Sequence, residues 1–242
     1  MPNWVQNDIS LSGEEEDIKK VLELVKSEES DFDFNKIIPM PKELEIASSS
    51  DNDFAIICYI SNKLTIPFEQ LDKRYLKYVT NMFNKNFASD IYERLFDRTD
   101  DMDRLYELGK ICCENIRNYG HVDWYDWCID NWGTKWNACD VYAGDNFISF
   151  QTAWNVPDPI FEAFAYLCDK YNVTFEGEYA DEDRGHNSGH ISSEHGITEY
   201  ADNSHEALSA YIDLWGESDC IGEDKNGKII QYDCETCPNK CY

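Results

Sequence analysis

The sequence predicts an α+β fold: an antiparallel sheet following the ferredoxin-like βαββαβ path, interrupted by a helical insertion and followed by a cysteine-rich C-terminal extension. Three observations carry this. Apolar and polar residues alternate with period two from Val5 to Leu11, from Ile148 to Trp154 and from Val173 to Tyr179, the pattern of half-buried strands. Apolar residues three and four apart follow two of these stretches, at Ile18–Val25 and at Ile160–Tyr171, as amphipathic helices require. Between them, residues 67–118 keep a helical period throughout. Counted without that insertion and with an edge strand near Asp140-Val141-Tyr142, the order is βαββαβ, which implies an antiparallel sheet with its helices on one face. Residues 1–48 and 121–200 are assigned to this core, 49–120 to the insertion and 201–242 to a last helix with a Cys-rich tail.

Val5, Asn7, Ile9 and Leu11 form the inward side of the first strand. Ser12 with Glu15 reads as a capping box, and Glu14, Glu15, Glu16 and Asp17 suit the positive end of the helix that follows. Phe32 to Pro41 reads as extended, closed by Pro39 and Pro41, and the polar, serine-rich Lys42–Asp53 as a loop. In the insertion, Phe68, Leu71, Tyr75, Val79, Met82 and Phe83 make one stripe. Asp90 with Glu93 opens a second helix, and Asp100 with Asp103 a third. Gly133 ends a helix at Asn131-Trp132, in the left-handed conformation. Gly144-Asp145-Asn146 turns into the strand at 148–154, and Pro157 and Pro159 mark the start of the next helix. A hairpin is expected over Ile191–Tyr200, turning at Glu194-His195-Gly196, and Ser204 starts the last helix. Trp124, Trp127, Trp132, Trp136 and Trp154, five of the seven tryptophans, fall between Val122 and Trp154, so that stretch is expected to centre the core.

Forty-eight acids against 21 bases give a formal charge of -27. Such a chain repels nucleic acid and anionic membranes and attracts a basic surface; an ordinary solvated acidic protein has the same composition. Residues 1–51 carry 13 acids and 5 bases, residues 52–156 carry 16 and 11, and residues 157–242 carry 19 and 5, so the last third holds over half the excess. Met1–Ser12 is polar and alternating, so no secretory leader is expected, and no apolar run reaches the ~18 residues of a membrane helix. Ten cysteines without a leader suit a reducing cytosol and free thiols, with Cys112, Cys113 and Cys168 as small core residues.

Met1-Pro2-Asn3-Trp4, Phe34-Asn35-Lys36-Ile37-Ile38-Pro39-Met40-Pro41, Asn131-Trp132-Gly133-Thr134-Lys135-Trp136, and Thr152-Ala153-Trp154 followed by Pro157 together resemble a family of phage- and plasmid-encoded proteins carrying a YubB-type ferredoxin-like domain. The resemblance spans roughly residues 1 to 180. Val5 stands where the family is expected to have a cysteine, and the resemblance does not place the chain after Tyr179. The resemblance implies a mobile-element origin and a host cytosol, and brings no catalytic residues. "Ferredoxin-like" describes the chain path and implies no iron–sulfur cluster.

Cys234, Cys237 and Cys241 follow one another at two- and three-residue gaps, and with the solitary Cys220 they would suit a closed tetrahedral zinc site. Reduced surface thiols and disulfides are the alternatives. His186, His190 and His195, near Asp181, Glu182 and Asp183, could bind a divalent metal, although a polar loop explains them as well. No G-x-S-x-G elbow, P-loop or H-E-x-x-H is present, and Cys139 beside Asp140 reads as a core cysteine. Glu176 and Glu178 share one strand face at about 7 Å, the repeat of phosphates along a nucleic-acid strand. With Asp181, Glu182, Asp183, Glu194 and Glu199 they form the expected partner-binding set. The leading expectation is a non-enzymatic inhibitor that occupies the basic nucleic-acid-binding surface of a host defence protein, of anti-CRISPR or anti-restriction type. The alternatives are a small-ligand or peptide-binding module using Trp132 and Trp136, and a metal-dependent enzyme using the three histidines.

Overall fold

The computed structural model describes residues 2–82, 85–216, 220–224, 226 and 228–232. The chain divides into two compact units, Met1–Pro39 with Cys128–Tyr242, and Met40–Trp127. In chain order the elements are β1 (Trp4–Ser12), α1 (Glu15–Val25), α2 (Phe34–Ile37), α3 (Asp51–Ile60), α4 (Lys73–Met82), α5 (Lys85–Arg94), α6 (Met102–Tyr119) and α7 (Trp124–Trp132). Then follow β2 (Cys139–Ala143), β3 (Phe147–Ala153), α8 (Asp158–Asp169), β4 (Thr174–Asp181), β5 (Ser188–Ser192), β6 (Gly196–Glu199), α9 (His205–Trp215), β7 (Ile221–Glu223) and β8 (Ile229–Gln231).

Six strands form one sheet in the order β2-β3-β1-β4-β5-β6, with every neighbouring pair antiparallel. β1, α1, β2, β3, α8 and β4 trace the expected βαββαβ path with β1 central, and the β5–β6 hairpin lengthens the sheet beyond β4. β7 and β8 pair as a separate ribbon. Because side chains alternate across a strand, β1 fixes both faces. Val5, Asn7, Ile9 and Leu11 are buried on one side, level with Thr152, Phe150 and Ile148 of β3 and with Asp181, Tyr179, Gly177 and Phe175 of β4. Against that side lie Ile18, Val21 and Val25 of α1 and Ile160, Phe161, Phe164 and Cys168 of α8. Aromatic rings interlock there: Phe32 meets Phe34, Phe150 and Phe164 at 5.7, 5.0 and 5.3 Å, and Phe164 stacks on Phe175 at 5.1 Å. Offset and edge contacts of this kind add to the burial of large apolar area.

Several local expectations are corrected. Ser12 does not cap α1; it is the last residue of β1, held opposite Thr174, and the helix starts from Glu14 without a side-chain cap. Phe32–Pro41 is not extended. Asp33 accepts from the Asn35 amide and turns the chain into α2, which buries Phe34 in the ring cluster. Residues 51–53 do not belong to a loop, since α3 starts at Asp51. The helices do not all share one face: α9 contacts β4 and β5 on the side of Ala180 and Ser188, both buried, away from α8. Among the five clustered tryptophans, Trp127 and Trp132 are buried whereas Trp154 is 37% exposed, so the stretch is only in part a core. Gly133 does terminate α7 at φ 78°, and Ser204 caps α9 by accepting from the Ala207 amide.

In the helical unit, α3 is buried along Phe54, Ala55, Ile56, Ile57 and Cys58, and α6 crosses it so closely that a Cβ on Gly109 would sit 1.9 Å from the Ala55 carbonyl oxygen. Several basic residues of the unit are paired within it. Arg98 and Arg104 hold Asp51 and Asp101 at 2.6 to 3.0 Å, which keeps the Asp51 carboxyl below its ordinary range. Asp53 is in the opposite situation. Burial, and then the neighbouring carboxylates Asp123 and Asp126, push it up to about 6. Between the unfolded value near 3.8 and about 6 the folded chain holds the Asp53 proton more tightly, so stability falls as pH rises through that window. Asp53→Asn is expected to stabilise the protein at neutral pH by about 2 kcal/mol, a gain that fades by about pH 4. Thermal melts of both proteins followed by far-ultraviolet circular dichroism across this range check the sign.

Candidate functional site

The sheet side opposite α1 and α8 carries a polar row set by register. Ser149, Asp8, Glu178, His190 and Thr198 stand opposite one another across β3, β1, β4, β5 and β6. Facing carboxylates on neighbouring strands repel, and Asp8 and Glu178 are each supplied with donors. Gln6 Nε2 and Ser149 Oγ donate to Asp8 Oδ1 at 2.8 and 2.6 Å, and Tyr200 Oη donates to Glu178 Oε1 at 2.9 Å. Burial, and then this bond, push the Tyr200 hydroxyl up to about 12. Glu176, one alternate position along β4, is exposed on the same side.

The other expected partner-binding residues do not join that row. Asp181 is 5% exposed and lies on the α8 side of the sheet. It accepts from Asn3 Nδ2 at 3.3 Å, Asn187 Nδ2 at 3.1 Å and the Asp183 amide at 2.8 Å. Glu182 and Asp183 are exposed in the β4–β5 turn, Glu194 is exposed in the β5–β6 turn, and Glu199 is exposed on the edge strand with the opposite parity to Glu178. The set therefore forms no single continuous surface: Glu176 and Glu178 stand with Asp8, and Glu182 and Asp183 stand at one end of the sheet. Asp8 was readable from the alternation of β1, but a sequence ordered by net charge hid it.

At that end of the sheet lies an aromatic corner. Trp4 and Trp136 approach to 5.9 Å between ring centroids. Lys135 Nζ sits 4.5 Å from the Trp136 ring and 4.9 Å from the Trp154 ring, within cation–π range. Trp154 has φ 72°, which is rare for a bulky residue and costs about 1–3 kcal/mol. Its backbone is held from both sides: its amide donates to the Asn3 carbonyl at 2.9 Å, and its carbonyl accepts from Asn187 Nδ2 at 3.0 Å. Since Asn3 and Asn187 both donate to Asp181, that buried carboxylate anchors the corner. The Glu182 amide donates to the Trp4 carbonyl at 2.9 Å, which fixes the backbone of an exposed acid beside that of Trp4.

The three histidines are dispersed. His190 lies on β5 rather than in a loop, His186 contacts Asp202 at 3.2 Å and Asn203 at 3.4 Å, and His195 is exposed in the hairpin turn 3.9 Å from Glu194. Among the described residues no three His, Cys, Asp or Glu side chains are grouped to hold a metal ion. Cys220 is buried, and its carbonyl accepts from the Tyr232 amide at 2.7 Å; Cys234, Cys237 and Cys241 lie outside the described residues. Cys58, Cys112, Cys113, Cys139 and Cys168 carry free thiols, and burial pushes the Cys112, Cys113 and Cys168 thiols up to about 12, which makes them poor nucleophiles. Cys139 is half-buried and its thiol is also raised by burial. No described helix is long and apolar enough to cross a membrane.

Residues 131–233 match the family model described as the ferredoxin-like domain in Api92-like protein. The match places a ferredoxin-like domain over these residues. The matched residues begin at α7 and so omit β1, the strand that completes the sheet at its centre. No curated protein sequence matches the chain. The crystal structure of a protein api92 from Yersinia pseudotuberculosis is similar over 83% of this chain and 99% of its own, with 12% identity and a TM-score of 0.35; likeness at that level fixes neither fold nor function.

Trp132, expected in the core and a ligand contact only under the binding-module alternative, is 3% exposed, with its Nε1 donating to the Ile38 carbonyl at 2.9 Å and its ring edge-on to Phe34 at 5.8 Å. Trp132→Ala is expected to cost about 3–5 kcal/mol, whereas Trp136→Ala leaves the melting temperature close to wild type. Denaturant titration of the two variants separates the core indole from the surface one.

Proposed function

We propose that the protein is a non-enzymatic acidic inhibitor, carried by a phage or related mobile element, that acts in the host cytoplasm. It occupies the basic nucleic-acid-binding surface of a host defence protein. The observation that carries this reading is the -27 formal charge together with its placement: Asp8, Glu176 and Glu178 share one sheet face, with Glu182 and Asp183 exposed at its end. A regular copy of a phosphate row is supported only at Glu176 and Glu178; the remaining acids act as a field that draws in a basic surface and speeds encounter. Because such attraction is screened by salt, a defence nuclease captured from a bacterial host lysate at about 50 mM salt is expected to be released at about 500 mM and competed off by single-stranded nucleic acid. Glu176→Lys, Glu182→Lys and Asp183→Lys together, all at exposed positions, should abolish capture without loss of fold. Capture indifferent to salt, to competitor and to these reversals would sink the proposal.

The same reading includes a structural zinc ion held by Cys220, Cys234, Cys237 and Cys241. Its support is chemical and positional: four soft ligands suit zinc, and Tyr232, two residues before Cys234, is hydrogen-bonded to Cys220. Elemental analysis of the purified protein should find one zinc per chain, released by a chelator with destabilisation of the C-terminal segment. A metal-free preparation that melts unchanged with chelator excludes it.

A further inference from the structure

We infer that the corner formed by Trp4, Trp136 and Trp154 is a receptor for an arginine side chain of the basic partner, held closed in the free protein by Lys135. This rests on the acidic-surface reading and names where that surface grips. Four observations on one end of the sheet converge. A cation already lies between two of the indole faces, 4.5 and 4.9 Å away, so the rings are placed to accept one. Trp154 is 37% exposed, which leaves an incoming group access to its ring. It is also presented in a backbone conformation that its side chain disfavours, and observed strain of this kind concentrates at binding and switching positions. Finally, Glu182 is tied by its amide to the Trp4 carbonyl, with exposed Asp183 next to it.

Arginine is the cation that uses all of this. Its guanidinium is planar, stacks on an indole and still donates in its own plane to a carboxylate, whereas an ammonium is compact and strongly hydrated. Lys135 is thus a resident competitor that the arginine displaces.

Fluorescein-labelled hexa-arginine and hexa-lysine peptides, with binding to the full chain read by fluorescence anisotropy at about 50 mM salt, test the inference. Hexa-arginine is expected to bind the wild-type protein several-fold more tightly than hexa-lysine. Trp154→Gly keeps the left-handed backbone without strain and removes the ring; it is expected to weaken hexa-arginine about three- to fivefold with little change for hexa-lysine. Trp136→Ala should do the same, and Lys135→Ala should tighten hexa-arginine. Equal affinity of wild type and Trp154→Gly for hexa-arginine, or a weaker complex on Lys135→Ala, overturns the inference. If Glu182→Lys with Asp183→Lys weakens both peptides while Trp154→Gly weakens neither, the acidic reading stands and the arginine receptor fails. If the charge reversals also have no effect, both fail.

Discussion

The parity of β1 is the constraint on which the sheet depends. This strand pairs on both edges over nearly its full length, so its alternation is imposed on β3 and β4 together. A slip of one residue would move Val5, Ile9 and Leu11 to the polar side and drive Asp8 into the ring cluster, because a strand's side-chain period is two. The register is held by the buried set on one side and by the Gln6–Asp8–Ser149 hydrogen bonds on the other. The same two edges create the features described above: they put Asp8 level with Glu178, and they bring Trp4 opposite Ala153, one residue before Trp154.

Charge on this molecule is arranged rather than merely abundant. In the helical unit, arginines and aspartates close local ion pairs, and such half-exposed contacts contribute modestly to stability. On the sheet, Asp8 and Glu178 accept from uncharged donors instead, so no cation is paired with either in these contacts. Asp181 has left the surface altogether and works as a hub for Asn3, Asn187 and the turn amide of Asp183. Acids of similar appearance in the sequence thus do three different physical jobs, and only their neighbours tell them apart.

The alternating strands and amphipathic helices were legible because period two and period 3.6 write themselves into composition. That is why Val173, Phe175, Gly177 and Tyr179 fall on the expected face and α8 buries Ile160, Phe161 and Phe164. What escaped had no period to read. α3 is apolar nearly all round, from Phe54 to Cys58, and such a helix shows no stripe. The turn of α2 depends on Asp33 and on Asn137, about a hundred residues away, whose Oδ1 accepts from the Phe34 amide. A Ser-x-x-Glu pattern at Ser12 promised a cap, but strand pairing to Thr174 used that residue first. In these last two a tertiary contact outweighed a local preference worth at most about 2 kcal/mol.

The aromatic corner was illegible for a related reason. Lys135-Trp136 is a visible dipeptide, yet nothing local says that Trp4 and Trp154 will stand beside it. Tryptophan counts suggested a core, and burial of Trp132 shows that half of that inference was sound. The difference between Trp132 and Trp154 lies in the backbone. Trp132 ends a regular helix with its indole N–H satisfied by Ile38, whereas Trp154 is turned outward at positive φ and tethered by two asparagines to a buried carboxylate. A chain that spent conformational energy only on stability would have placed glycine there, since glycine adopts that conformation freely. Keeping a large ring at a strained, exposed position, with a cation already against it, is what an arrangement for recognition requires and what a core does not.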